Sequence, residues 1–312
     1  MSLTVLKPGF LTTLQDRGRY GYAALGVGHA GPMDGVAHRL ANALVGNDED
    51  AAALEITVLG PRLRFDADTV IALTGAPFDA CLDGVPVAPW QRLPVTAGAV
   101  LDCGRARCGQ RLSLAVAGGL RCKPLLGSRA TDLNAGFGAP LQQGDSLLFV
   151  ASSAPRARWS LDPRPWFDVD PSQPLRLIRG HHFGALDGPS RAALYGTRFR
   201  IGAASNRVGY RLDGARLALE RPLELASEPC AFGTVQLPTG GQPIVLMAEH
   251  PVTGGYPRIG QVAAIDLPRL AQRGPGDPLH FVEIDLDEAQ NRYLEREREL
   301  SRLQQAIAAR LP

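Results

Sequence analysis

The sequence predicts a mostly β protein of barrel or sandwich architecture with a few helices, on three observations. Apolar and polar residues alternate with a period of two along much of the chain, as in strands that turn one face to a core. The 35 glycines and 25 prolines among 312 residues punctuate these runs with turns. Between Ala151 and Pro174 the pattern breaks into Ser, Pro, Arg and Trp, with Pro155, Pro163, Pro165, Pro171 and Pro174, and this break marks a domain boundary. A chain of this length suits about two domains. The predicted organisation is a first domain over 1–155, a Pro-rich linker over 156–174, a second domain over 175–285 and a C-terminal helix over 286–312.

The elements follow in order. Val36, Leu40 and Leu44 at spacing four, with Asp34 in the first turn and Gly46 as a stop, predict a helix from Met33 to Val45. Leu54, Ile56 and Val58 alternate with Glu55 and Thr57, and Leu112, Leu114 and Val116 with Arg111, Ser113 and Ala115; these predict half-buried strands. Leu175 and Leu177 around Arg176, and Leu217 and Leu219 around Ala218, continue the theme. Asp266 caps a short helix that ends before Gly274. From about Asp287 to Arg310, Ala289, Tyr293, Leu300, Leu303, Ile307 and Leu311 form one stripe of an amphipathic helix, which packs on the body of the chain or on a partner.

Composition excludes several functions. With 33 basic and 31 acidic residues and a net charge of +2, there is no electrostatic case for nucleic acid or an anionic membrane surface. Only Lys7 and Lys123 are lysines, and neither has the glycine-rich context of a P-loop nor the Met-Lys-Met setting of covalent biotin. Any nucleotide must be held another way, and this chain carries no biotin of its own. Five cysteines, with no signal-peptide core and no long apolar run, predict reduced thiols in the cytoplasm. Cys103, Cys108 and Cys122 with His181 and His182 fit no zinc spacing and are expected as buried structural thiols, with no metal.

Three clusters combine glycines with polar side chains. The first runs from Thr12 through Asp16, Arg17, Gly18 and Arg19 to Tyr22, then through His29 and Asp34 to Asn42 and Asn47. It suits a converging polar site, or a structural Asp16–Arg19 ion pair with asparagines that satisfy loop backbone. The second, Ser205-Asn206-Arg207 followed by Gly209-Tyr210-Arg211-Leu212, offers hydroxyl, amide and guanidinium donors to a carboxylate or phosphate, or forms a turn. The third joins Gln236 to Glu249, which follows the apolar strand Ile244 to Met247, and to Thr253-Gly254-Gly255-Tyr256. Gly-Gly backbone N–H groups can cup an oxyanion, so this cluster is the first choice for an active-site wall. Arg19-Tyr20-Gly21-Tyr22 before Gly26 echoes Arg207-Val208-Gly209-Tyr210 before Gly214, as two related barrels or chance would produce. A nucleophile elbow, an H-E-x-x-H motif and a G-x-G-x-x-G turn are all missing. The residues alone stop at a small-molecule site.

An ordered set of long motifs resembles one family. These are Gly9-Phe10-Leu11-Thr12-Thr13-Leu14-Gln15-Asp16 with Gly18-Arg19, Met33-Asp34, Asn42 to Asn47, Ala53-Leu54-Glu55 with Gly60-Pro61, Leu126-Gly127-Ser128-Arg129, Ser205 to Leu212 and Thr253 to Pro257. The family includes the C component of bacterial 5-oxoprolinase, KipA, and the allophanate hydrolase subunit 2 or urea carboxylase carboxyltransferase module. The resemblance covers about Leu3 to Phe281 and implies two cyclophilin-like β-barrel domains. It also implies a place in a multi-component 5-oxoprolinase, with a KipI-like B component and an A component, opening 5-oxoproline to L-glutamate at the expense of ATP shared with or supplied by a partner. On this reading Glu249, Gln236 and Tyr256 are catalytic and orient the reacting lactam or amide. Ser205, Asn206, Arg207, Thr253, Gly254 and Gly255, with Arg19 and Asp34, bind substrate or anion. The family commonly has Asp-Gln-Thr-Thr-Gly-Gly-Tyr where this chain has Glu249-His250-Pro251-Val252-Thr253-Gly254-Gly255-Tyr256, a departure that shifts a polar group by about an ångström. Two alternatives accompany this reading: a carboxyltransferase acting on urea or a related amide with a separate biotin carrier, and a KipA-type regulator that binds a KipI-like kinase inhibitor.

Overall fold

The computed structural model of the chain describes residues 1–150 and 157–311. It divides into two units, Met1–Tyr20 with Ala30–Val169 and Leu300–Pro312, and Gly21–His29 with Asp170–Glu299. The expected class, mostly β with a few short helices and a C-terminal helix, is the class observed. The chain passes between units after Val169, inside the expected linker, whereas the expected boundary between residues 155 and 156 lies outside the described residues. Within that linker, Trp159–Ser160 is a short strand paired with Gln91 and Arg92.

In the first unit, one sheet of seven strands centres on Ser2–Lys7, Arg62–Phe65 and Val100–Asp102. A second, of six, centres on Thr69–Gly75, Arg111–Val116 and Ala53–Thr57. Leu3, Val5, Leu63 and Phe65 from one sheet pack with Leu54, Ile56, Ile71, Leu73, Leu112 and Leu114 from the other in a single core. The expected half-buried strands 53–57 and 111–116 are buried on both faces. The reason is helix α1, Gly35–Val45, whose Ala41, Leu44 and Val45 cover Ala53, Val70, Ala72 and Ala115 on the outer face. Alanines there let the helix axis come close. Helix α1 starts two residues later than expected, with Asp34 as its N-cap accepting from Ala37 N at 2.9 Å, and it ends at left-handed Gly46.

The second unit is built on an eight-stranded sheet in the order 278–279, 199–201, 209–213, 244–246, 234–236, 258–262, 175–179 and 281–283, with a separate two-stranded sheet beside it. Its two edge strands, Pro278–Leu279 and Phe281–Glu283, are separated in sequence by His280 alone. The sheet therefore curls almost into a closed barrel. A helix that the sequence reading lacks, α2, Gly188–Gly196, is capped by Asp187 accepting from Ser190 N at 2.7 Å. The expected strand at Leu217 and Leu219 is absent: only an isolated bridge from Leu219 to Leu186 forms, because Leu217 N bonds Gly241 O and Ala218 N bonds Ser190 Oγ. Helix α3, Leu267–Ala271, does not use Asp266 as a side-chain cap. That carboxylate takes the Arg176 backbone N–H at 2.7 Å and its guanidinium at 2.8 and 3.0 Å.

The C-terminal helix α4, Leu286–Ala308, ends two residues before the expected Arg310. Leu300 and Ile307 are buried with Val36, Leu40 and Trp90 in the first unit, so this half of the helix packs on the chain itself. Ala289 packs with Ala263 and Ile284 in the second. Tyr293 departs from the expected stripe and is 42% exposed. Cys103 is buried as expected, but Cys108 and Cys122 are exposed because they lie in loops beside strands 111–116 and 120–121. Among the described residues no helix is long and apolar enough to cross a membrane, and no group of three metal-binding side chains forms.

Candidate functional site

In the second unit, strand 244–246 ends in a turn that delivers Glu249, and strand 209–213 begins just after Arg207. Pairing of these strands, extended by Met247 N to Val208 O and Glu249 N to Arg207 O, brings two residues 42 positions apart side by side. Arg207 Nε donates to Glu249 Oε1 at 2.5 Å, with the side chains 4% and 2% exposed. A buried ion pair needs such geometry, since desolvating two charges costs several kcal/mol per ion. The pair holds the Glu249 carboxylate in one orientation.

Gln236 ends strand 234–236 with its side chain buried, and its Nε2 donates to Cys230 Sγ at 3.3 Å. The short strand Thr253–Gly254 pairs with Glu228–Pro229 and lays Gly254 against that amide. A β-carbon at Gly254 would sit 2.3 Å from Gln236 Nε2 and 3.3 Å from Cys230 Sγ, so a side chain there would push the Gln236 amide out of its present position. The Gly254 backbone N–H also points at Cys230, whose thiol is pushed up by burial, against the pull of Arg258. Arg258 is held by Glu228 and donates to Pro229 O at 3.0 Å. His250 bonds through Nδ1 with Pro251 O at 2.8 Å.

The other expected residues have different surroundings. Asn206 Oδ1 accepts from Val208 N at 2.9 Å, and Ser205 Oγ accepts from Arg211 N at 3.1 Å, so both polar groups shape the turn that presents Arg207. Thr253 and Gly255 are exposed, as is Tyr256, at 46%. Arg19 and Asp34 belong to the first unit. Asp34 caps α1, and Arg19 lies over the Phe137 ring at 5.0 Å with one nitrogen donating to Ala130 O. Burial lowers the Arg19 guanidinium pKa against the attraction of Asp132 and Asp16. The sequence echo does not extend to conformation, because Gly209 opens a strand and Gly21 lies outside any element. The structure thus brings together Arg207 with Glu249, and Gln236 with Gly254. It adds Cys230, which no spacing in the sequence marked.

The matching family model is that of the carboxyltransferase domain, subdomain A and B, over residues 25–283. The chain belongs to this family. It is 40% identical to the C component of 5-oxoprolinase from Escherichia coli strain K12, over 94% of this chain and 96% of that one. It is 37% identical to the protein of the same name in Haemophilus influenzae, with 89% of each covered. The crystal structure of Kluyveromyces lactis urea amidolyase superposes with a TM-score of 0.87 at 28% identity, covering 96% of this chain but 20% of that one. Arg207, Gln236, Glu249 and Gly254 all lie inside the matched segment.

Proposed function

We propose that this chain is the C component of a 5-oxoprolinase, which opens the lactam of 5-oxoproline to L-glutamate with ATP, alongside a KipI-like B component and an A component. End-to-end similarity to the E. coli protein carries the reading, since 94% and 96% coverage leaves no large segment unmatched on either side. In the reaction, oxygen from water is added to the lactam carbonyl carbon, the C–N bond breaks and the ring nitrogen takes a proton. A site for this step needs donors for the carbonyl oxygen and a carboxylate fixed near the nitrogen. The donors would be Gln236 and the Gly254 N–H, which turn to the carbonyl oxygen from the Cys230 thiol they contact here, and Glu249, steadied by Arg207, would be the carboxylate. ATP would bind in a site shared with or supplied by a partner.

A second reading, carboxyl transfer to urea or a related amide from a separate biotin carrier, is supported by the family description and by the urea amidolyase structure. Relatives of that name are 28–30% identical and share 17% of their length with this chain, which favours the first reading. The test mixes the chain with its A and B partners and follows glutamate formation and 5-oxoproline-dependent ATP hydrolysis, omitting each component in turn. Glutamate that disappears when this chain is left out supports the proposal. Activity that needs a biotinylated carrier supports the second reading, and a stable complex without turnover supports a KipA-type regulator.

A further inference from the structure

In the first unit, two motifs more than a hundred residues apart in the chain are fastened together. Gln15 Nε2 donates to Thr131 O at 3.1 Å. Asp16 accepts from Ser128 Oγ and Arg129 N, each at 2.5 Å, and from Gly18 N at 3.0 Å. Arg19 donates to Ala130 O. Gln15, Asp16 and Arg19 are all buried, so three polar side chains are committed to fixing one loop. The loop is itself strained. Leu125 and Ser128 close a two-residue turn, and Leu126 inside it has a φ of 51°. A leucine in the left-handed region costs roughly 1–2 kcal/mol and persists only where the surroundings impose it.

What this loop turns outward is Arg129. Its Nε donates to Cys122 O at 3.0 Å, which fixes the stem of the guanidinium. Arg129 lines a cavity of about 450 Å³ together with Arg121, Asn47, Asp48, Gly118 and Gly119. It also lines an adjoining one of about 230 Å³ beside Asp16, Arg17 and Tyr20. Arg17 is neutralised by Glu49, with Asp50 at 3.6 Å. Among the described residues, neither Arg121 nor Arg129 has an acidic partner for its guanidinium. Asp48 is the one acid on the larger wall, and its Oδ1 accepts from Asp50 N at 2.9 Å.

We propose that the larger cavity binds a phosphate-bearing anion, gripped by Arg121 and Arg129. Two guanidinium groups without an acidic partner, both lining one cavity, suit an anion with several charged oxygens, because each can form a two-pronged contact. The volume falls within the roughly 300–1,000 Å³ typical of small-molecule sites. A lone carboxylate would occupy one arginine and leave the other unused. The site belongs wholly to the first unit and stands whether or not the chain takes part in lactam opening.

Titration calorimetry on the full chain tests this, with tripolyphosphate as the probe and inorganic phosphate, ADP and 5-oxoproline as separate arms. The expected result is saturable binding of tripolyphosphate, weakened at least tenfold by Arg129→Ala and by Arg121→Ala. Arg121 is exposed, so its variant tests the site even if Arg129→Ala disturbs the loop. Arg200→Ala, which removes the same charge from an exposed position in the second unit, is expected to leave binding unchanged. Alongside tripolyphosphate, ADP binding with the same arginine dependence identifies a nucleotide as the source of the phosphate, and binding of inorganic phosphate but not ADP identifies the free ion. Absence of tripolyphosphate binding, equal weakening by Arg200→Ala, or 5-oxoproline binding through the arginines in place of tripolyphosphate overturns the proposal.

Discussion

His38 shows how a single side chain reports its surroundings. It lies on α1, 1% exposed, with its ring 3.2 Å from Asn42 Nδ2, and burial pulls its pKa down to about 4 against the attraction of Glu55 and Asp16. In the unfolded chain a histidine titrates near 6.5. Above that pH both states are neutral at this site. As pH falls from about 6.5 to about 4 the unfolded chain takes up a proton that the folded chain refuses, so stability is lost across this window, by about 3 kcal/mol in all. Urea unfolding of the wild type and of His38→Gln between pH 7 and pH 4.5 checks this. The wild type is expected to lose stability more steeply, and parallel slopes would contradict the assignment. Residues of the candidate site obey the same long-range logic. The Arg207–Glu249 contact spans 42 positions, and the Gln236–Cys230–Gly254 contacts depend on which strands pair. The sequence marks Gln236, Glu249 and Gly254 as polar or flexible groups near strand ends, but Cys230 carries no local signal at all.

Among the elements, α1 was legible because its signals are local: apolar spacing, a capping aspartate and a terminal glycine within fourteen residues. The local signals of α2 are equally plain, Asp187 before Gly188-Pro189-Ser190, although its apolar face is short. Burial of Glu55 and Arg111 was not legible, since it depends on a helix that covers their strands from a different part of the chain. The stripe of α4 was legible in part. Leu300 and Ile307 are buried, while Tyr293 on the same expected stripe is not. Leu300, fully buried against Val36, Leu40 and Trp90, anchors the last part of the helix in the first unit. Leu300→Ala is expected to destabilise that unit by about 2–5 kcal/mol, the range for emptying a well-packed leucine site. A urea midpoint within error of the wild type would show that the helix end is not held there.

At the level of the whole molecule, two β-rich units of one chain carry different polar machinery. In the first, Gln15, Asp16 and Arg19 fix the loop that presents Arg129. In the second, strand pairing brings Arg207 to Glu249, and Gln236 to Gly254. Charge balance, the scarcity of lysine and the missing motifs shaped the expectations on nucleic acid, a P-loop and covalent biotin, whereas the chemistry required a family resemblance as well as spacing. The most direct measurement of the central claim is the rate of glutamate formation by the reconstituted complex carrying Glu249→Gln. This change keeps the side chain's shape and removes its charge. If Glu249 acts on the reacting lactam, kcat falls by about 100-fold or more with assembly retained, as general acid–base catalysis contributes about 10²–10⁴-fold. Turnover at the wild-type rate would contradict it.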